Sequence, residues 1–314
     1  MRTERIVEST KEIDELEKEW WNANAVTIEK IWAQSFRLQK LVRVPYLEKM
    51  KRFFLDSTNK RPLKILEIGC GSGWVCRLVA DKDFNIIGTD FSDAQIALAK
   101  EMAVLQGKEE FCVYEVADAS AFEKDVDGVV IHALLHHLSA KELQVFFKQF
   151  SEIKKGTRVF MYEPVFLDKQ PGKASFFDRA INKVIHEVKM FAINKAKKSG
   201  QEDVELNKKI EKIFNDAQEK GWYISPKEVP FYEKELDEYM KPLCTLQKKY
   251  IVNRSELEIA EVLAAWRIEK PGFLFSGILI PLVRQLDKIS FQGKFTHYLP
   301  ANQHVFVCSE WVKN

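Results

Sequence analysis

The tightest constraint on this chain is the stretch Lys64-Ile65-Leu66-Glu67-Ile68-Gly69-Cys70-Gly71-Ser72-Gly73. An apolar run ends in an acid and then in three glycines on alternate positions. The short apolar segment Trp74 to Ala80 follows. This pattern predicts a strand, a tight turn and a helix. Glycine adopts backbone angles that other residues resist, and it lets a ligand lie against bare backbone. The first turn of the helix presents unpaired N–H groups, which favour an anionic group there. The chain must therefore contain at least one βα unit with a ligand-binding turn.

The rest of the sequence extends that unit into a sheet. From Leu63 the pattern turns to α/β, with strand candidates over Leu63–Ile68, Asn85–Thr89, Phe111–Val116, Asp127–His132 and Arg158–Glu163 and helical stretches between them. Ser92-Asp93-Ala94-Gln95 and Ser139-Ala140-Lys141-Glu142 each have the spacing of a capping box. Ile96, Ala99, Ala103 and Val104 then line one helix, and Leu143, Phe146 and Phe150 the other. Strands alternating with helices predict a parallel sheet with right-handed crossovers. Two later runs, Leu246–Val252 and His304–Trp311, supply a sixth and a seventh strand.

Around this core the periodicity is helical. From Ile13 to Phe54 apolar residues recur at three- and four-residue steps, with Trp20 and Trp21 adjacent near a helix end. Ser57 to Pro62 reads as a polar linker. Residues 174–198 are amphipathic through Phe177, Ile181, Val184, Val188 and Phe191, and 203–220 form a further helix that Gly221 can stop. Pro226 and Pro230 mark a loop, and Leu236–Met240 a helix end. We expect an N-terminal helical lid (1–60), a Rossmann-like core (61–164), a helical insertion or cap (165–243), and a closing segment (244–314) with an apolar insertion at 253–300. The fold class is α/β: a seven-stranded, mostly parallel sheet with N-terminal helices and a late helical cap.

Composition narrows the function classes. With 314 residues and 46% apolar content the chain can bury a proper core. A net charge of +2 gives no overall field that selects nucleic acid, so no nucleic-acid partner is expected. The five cysteines show neither C-x-x-C nor metal-ligand spacing, which fits a reducing, cytoplasmic compartment and no metal. The charged N-terminus lacks a signal-peptide core. No apolar run reaches the roughly 18 residues of a spanning helix. Nothing in the sequence sets an oligomeric state.

The dinucleotide fingerprint is G-x-G-x-x-G. Here the third glycine falls one residue early, and Trp74 takes its place. The G-x-G-x-G spacing, with Glu67 two residues ahead, resembles motif I of the class I S-adenosylmethionine-dependent methyltransferases. Three further features in the right order extend the resemblance over Leu63 to Glu163. Asp90 ends the second strand, Val116-Ala117-Asp118-Ala119 follows the third, and Val129 to Leu138 carries His132, His136 and His137 at the end of the fourth.

The resemblance implies S-adenosylmethionine as cofactor. It places the loop Glu67, Gly69, Gly71 and Gly73 at the methionine half, with Glu67 near the amino group. Asp90 would accept from the ribose hydroxyls, Phe91 would lie on the adenine, Asp118 and Ala119 would read the adenine edge, and His132 would line the methionine side. A carboxylate suits a vicinal diol in either nucleotide class, so Asp90 alone does not discriminate. His136, His137 and Glu163 are candidates for a base that deprotonates the acceptor, or for packing at the strand ends. The expected activity is methyl transfer to a small-molecule or lipid-like acceptor. The competing readings are an S-adenosylmethionine-binding protein without catalysis and an NAD-linked dehydrogenase on a similar sheet. The apolar run Phe273 to Val283 is a candidate wall for the acceptor or a peripheral membrane contact.

Overall fold

The computed structural model describes residues 11–32, 44–56, 61–166, 204–220, 225–251 and 305–314, with positions 183, 187, 190, 194, 278 and 281. The chain opens with helices α1 (Lys11–Trp32) and α2 (Val44–Leu55). It then alternates through β1 (Leu63–Ile68), α3 (Trp74–Val79), β2 (Phe84–Asp90), α4 (Asp93–Leu105), β3 (Cys112–Val116), β4 (Gly128–His132), α5 (Ala140–Ser151) and β5 (Arg158–Phe166). Helix α6 (Val204–Lys220), strand β6 (Phe231–Tyr232), helix α7 (Glu233–Met240) and strands β7 (Cys244–Ile251) and β8 (Val305–Lys313) complete the described elements.

The strands form one sheet in the order β3-β2-β1-β4-β5-β8-β7. Strands β1 to β5 pair in parallel, and β8 runs antiparallel to both β5 and β7. The order reverses between β1 and β4, which opens a crevice at their carboxyl ends where ligands bind in such sheets. Among the described residues the sheet has eight strands, one more than the seven expected. The extra one, β6, pairs in parallel with the end of β5 through Val165 and Phe166. At two residues it is too short to show a period-two pattern.

Alternation along the strands explains the three layers. Leu63 and Ile65 of β1, Val130 of β4 and Phe160 and Tyr162 of β5 face one cluster, with Met50 and Phe54 of α2 and Val75 and Val79 of α3. Leu66, Ile68, Val129, Ile131, Val159 and Met161 face the other, with Leu143, Phe146 and Phe150 of α5 and Leu236 and Met240 of α7. The central strands β1, β4 and β5 are hydrophobic on both sides, as a sheet sandwiched between helices requires. Of the amphipathic run 174–198, the described positions Lys183, Glu187, Met190 and Asn194 are helical and exposed. The apolar run 273–283 lies outside the described residues apart from Ile278 and Pro281. Among the described residues no helix is long and apolar enough to cross a membrane.

Candidate active site at the carboxyl ends of the strands

The glycine turn between β1 and α3 sits at the centre of the crevice. Gly69, Gly71 and Gly73 all have positive φ, at 71°, 53° and 73°. They differ in what surrounds them. A Cβ on Gly69 would lie 2.6 Å from Leu134, and one on Gly73 2.5 Å from the ring of Tyr114. Both are therefore packing glycines as well as turn glycines. A Cβ on Gly71 meets only Gln95 Oε1, at 3.9 Å. Only Gly71 has an open face where a ligand can lie on the backbone.

Asp90, at the end of β2, ties this turn to the next helix. Its Oδ2 accepts from the Gly71 N–H at 2.8 Å, and its Oδ1 accepts from the Ser92 N–H at 3.0 Å. Burial pushes the Asp90 carboxyl above its ordinary value, while these N–H groups pull the other way. Ser92 caps α4 by accepting from Gln95 N–H at 3.2 Å, as the capping-box spacing predicts. The box does not close, because Gln95 turns inward and is 1% exposed. Its amide nitrogen and oxygen are both buried without a partner among the described residues. An unsatisfied buried polar group costs about 1–3 kcal/mol. A ligand with hydroxyls beside Gly71 and Asp90 would remove that cost, so the residues present fit a nucleoside.

Glu67 lies beneath the turn, 2% exposed. It accepts from Cys76 Sγ at 2.7 Å, and burial pushes its carboxyl up to about 8. Asp118 is exposed, and its Oδ1 accepts from the Ser120 N–H and hydroxyl at 2.8 and 2.6 Å. Phe91 and Ala119 are half-buried. His132 stacks on Tyr162 with ring centroids 4.4 Å apart, meets Trp74 edge-on at 5.1 Å, and shares a 3.0 Å hydrogen bond with the Tyr46 hydroxyl.

After His132 the chain turns sharply. Ala133 holds a φ of 53°, a left-handed conformation costing roughly 1–2 kcal/mol for a residue with a Cβ. The turn aims the N–H groups of Leu134 and Leu135 at Glu163 Oε1, both at 2.8 Å. The other oxygen of Glu163 accepts from His136 Nδ1 at 2.7 Å, and His136 Nε2 lies 3.7 Å from Glu228. Glu163 is fully buried and His136 is 3% exposed. Glu163 thus organises the turn after β4, with both oxygens engaged.

His137 is placed differently. Its Nδ1 donates to Glu17 Oε1 of α1 at 3.1 Å, and Ser225 Oγ is 3.2 Å from the same nitrogen. Its Nε2 has no partner among the described residues. Desolvation lowers its proton affinity, but Glu17, with Glu228 and Glu163, overcomes this and raises it above the ordinary histidine value. The charge of His137 in turn helps to lower the proton affinity of Asp90.

Helix α1 contributes more than its periodicity indicates. Glu29 is 2% exposed and pairs with Arg77 at 2.7 Å. Glu29 also accepts from the Ser72 hydroxyl of the glycine turn, and Arg77 donates to the Ser72 carbonyl. Asn22 Oδ1 accepts from Ser92 Oγ at 2.6 Å and from Ala94 N–H at 3.2 Å, at the start of α4. Trp21 lies edge-on to His137 at 5.3 Å. One helix therefore touches the turns after β1, β2 and β4. Glu17, Trp21, Ala25 and Glu29 recur every four residues, and that spacing is the only signal in the sequence for this face. A groove of about 450 Å³ between α1 and α6 uses Trp20, Asn24, Thr27 and Lys30 instead, and none of the residues that bind the turns.

Part of the chain is similar to known methyltransferases. Residues 65–156 match a family described as a methyltransferase domain. Ajmaline N-methyltransferase of Rauvolfia serpentina is 29% identical over 39% of this chain and 43% of its own length. A ubiquinone biosynthesis O-methyltransferase of Mesorhizobium japonicum is 37% identical over 27% of this chain and 34% of its own. Another, of Chelativorans sp., is 28% identical over 45% and 54%. The matched stretch thus spans about half or less of these relatives' lengths. Among solved structures, a cyclopropane synthase from Mycobacterium tuberculosis superposes with a TM-score of 0.48 at 16% identity, covering 84% of this chain and 83% of that one.

Proposed function

We propose that this chain, whose residues 65–156 match a methyltransferase domain, uses S-adenosylmethionine to transfer a methyl group to a small-molecule acceptor. The observation that carries the reading is the unpartnered, buried amide of Gln95 beside the open face of Gly71 and the carboxylate of Asp90. A nucleoside with a vicinal diol satisfies all three. When bound, S-adenosylmethionine supplies a methyl carbon already made electrophilic by its sulfonium.

The chain's own residues then hold and orient. Asp90 and Gln95 take the ribose, Phe91 with Asp118 and Ala119 the adenine, and Glu67 lies near the methionine amino group beneath Gly71. Gly69 and Gly73 shape the turn, and His132 with Trp74 lines its methionine side. Alignment of this kind contributes up to about 7–11 kcal/mol to a two-reactant step. His137 offers its open Nε2 to an acceptor hydroxyl. It takes the proton as the new bond forms, and Glu17 stabilises the resulting imidazolium. His136 and Glu163 hold the turn that carries His137.

In this reading residues 1–60 close over the cofactor, 61–164 bind it, and 165–243 with 253–300 cap the acceptor. The apolar run 273–283 gives the acceptor an apolar neighbour or a membrane surface, and the named relatives are an N-methyltransferase and O-methyltransferases. A cytoplasmic location accords with five cysteines that are all buried and unpaired. The test is calorimetric titration with S-adenosylhomocysteine, followed by screening cell extract with methyl-labelled S-adenosylmethionine. Binding with a labelled small product supports the reading. Binding with no labelled product from any extract supports a cofactor-binding protein without catalysis, and no binding refutes the cofactor itself.

A further inference from the structure

The Glu17–His137 contact joins two parts of the chain 120 residues apart, and a third arrives from the segment after α6. Glu17 is 2% exposed and accepts three hydrogen bonds besides that of His137: from Trp21 Nε1 at 2.8 Å, Ser225 Oγ at 2.9 Å and Lys227 N–H at 2.9 Å. The Lys227 ammonium continues the junction to Asp14 at 2.7 Å and to Glu142 of α5 at 2.6 Å. The carboxylate needs this many donors because a buried charge is otherwise costly.

The geometry has a chemical consequence. A carboxylate on Nδ1 forces that nitrogen to carry hydrogen, so a neutral ring has its lone pair on Nε2. Nε2 is the nitrogen without a partner among the described residues. We infer that Glu17 is a positioning residue: docking of α1 supplies the carboxylate that fixes the tautomer and orientation of His137, so the acceptor side is complete only with this helix in place. The inference rests on the methyltransferase reading for its purpose, but not for its geometry.

Docking and the protonation of His137 are then linked. The imidazolium faces Glu17 from α1, Glu163 from β5, Glu228 from the 225–230 segment and Asp90 from the end of β2. Its proton affinity is raised in the docked state, so this pair's contribution is complete below the ordinary histidine value. That contribution is lost as pH rises through the raised one. At the acidic end the limit is Glu17, whose proton affinity is lowered: burial raises it, but the bonds from His137, Trp21 and Lys227 outweigh burial.

The experiment uses the full chain with ¹⁵N-labelled histidine, with His137→Asn to assign the ring. Long-range proton–nitrogen spectra give tautomer and titration midpoint, and hydrogen exchange reports opening of residues 11–32. In the wild type we expect His137 to titrate above the ordinary histidine range, with hydrogen on Nδ1 in the neutral form. Glu17→Gln keeps an acceptor but removes the charge. It should lower the midpoint, scramble the tautomer, and speed α1 exchange on the order of tenfold. Ser225→Ala removes a donor but no charge, so exchange should quicken while the midpoint stays raised. A wild-type midpoint in the ordinary range, or a Glu17→Gln shift no larger than that of Ser225→Ala, overturns the inference. The wild-type result decides even if Glu17→Gln does not fold. Titration with S-adenosylhomocysteine separates the two readings. Binding with an ordinary His137 midpoint sinks this inference alone. No binding with a raised, α1-linked midpoint upholds it and sinks the cofactor.

Discussion

Glu67 makes a prediction that the free and the loaded protein can both test. Its carboxyl, 2% exposed, is pushed up to about 8 by burial under the glycine turn. At pH 6 to 7 it is therefore mostly protonated in the free protein. A cofactor ammonium placed beside it favours the ionised form, so binding should release a proton there. Affinity should rise by about tenfold from pH 6 to pH 7, equivalent to about 1.4 kcal/mol. The free protein should show the complementary trend. The native carboxyl keeps a proton that the unfolded chain loses above 4.5, so this group's stabilisation is complete below that value. It is lost as pH rises through about 8, at most about 1.4 kcal/mol per pH unit. Glu67→Gln removes both slopes while keeping the bulk and a hydrogen-bond acceptor. Calorimetry of S-adenosylhomocysteine in buffers of different ionisation enthalpy counts the released proton, and denaturation across pH gives the stability slope. Equal proton release in wild type and Glu67→Gln would refute the reasoning, because the titrating group would then lie elsewhere.

Gly71→Ala should weaken cofactor binding while lowering stability by only about 1–2 kcal/mol, the cost of a left-handed residue with open space around it. Gly73→Ala, 2.5 Å from the Tyr114 ring, should lower stability more than Gly71→Ala in the same urea titration. Arg77→Met should cost about 3–5 kcal/mol, because it leaves the Glu29 carboxylate buried without its partner, and melting should report it. His137→Asn should leave S-adenosylhomocysteine affinity within a few-fold and slow transfer to a hydroxyl acceptor by about 10²–10⁴. In the wild type that transfer should speed up as pH rises through the raised histidine value, since only the neutral ring accepts a proton.

The sheet was legible because its signals are local. Leu63–Ile68 is a short apolar run, and the glycine turn and Asp90 sit where a strand must end. The Ser139 box closes as its spacing requires, with Glu142 reaching back to the Ser139 N–H at 2.7 Å. The contribution of α1 was not legible. The apolar periodicity over Ile13 to Phe54 does not single out Glu17 and Glu29, yet both are buried, because His137 and Arg77 from distant segments neutralise them. Nor could spacing tell Gly71, open to a ligand, from Gly69 and Gly73, which accommodate Leu134 and Tyr114. His136 and His137 are neighbours in sequence, but only their partners separate a ring held between Glu163 and Glu228 from one with an open nitrogen. Gln95 looked like the closing residue of a cap, and the structure instead buries its amide beside Gly71.

The central claim is that the crevice around Gly71, Asp90 and Gln95 is a nucleoside site of a methyltransferase. The direct measurement is calorimetric titration of the wild type and Asp90→Asn with S-adenosylhomocysteine, with NADH as a competitor. Asparagine keeps one acceptor for the turn, whereas alanine would also release the Gly71 and Ser92 N–H groups. The account predicts saturable binding to the wild type that NADH does not displace. It also predicts at least about tenfold weaker binding to Asp90→Asn, the loss of one charged hydrogen bond. Equal affinity in the two proteins, or displacement by NADH, would contradict it.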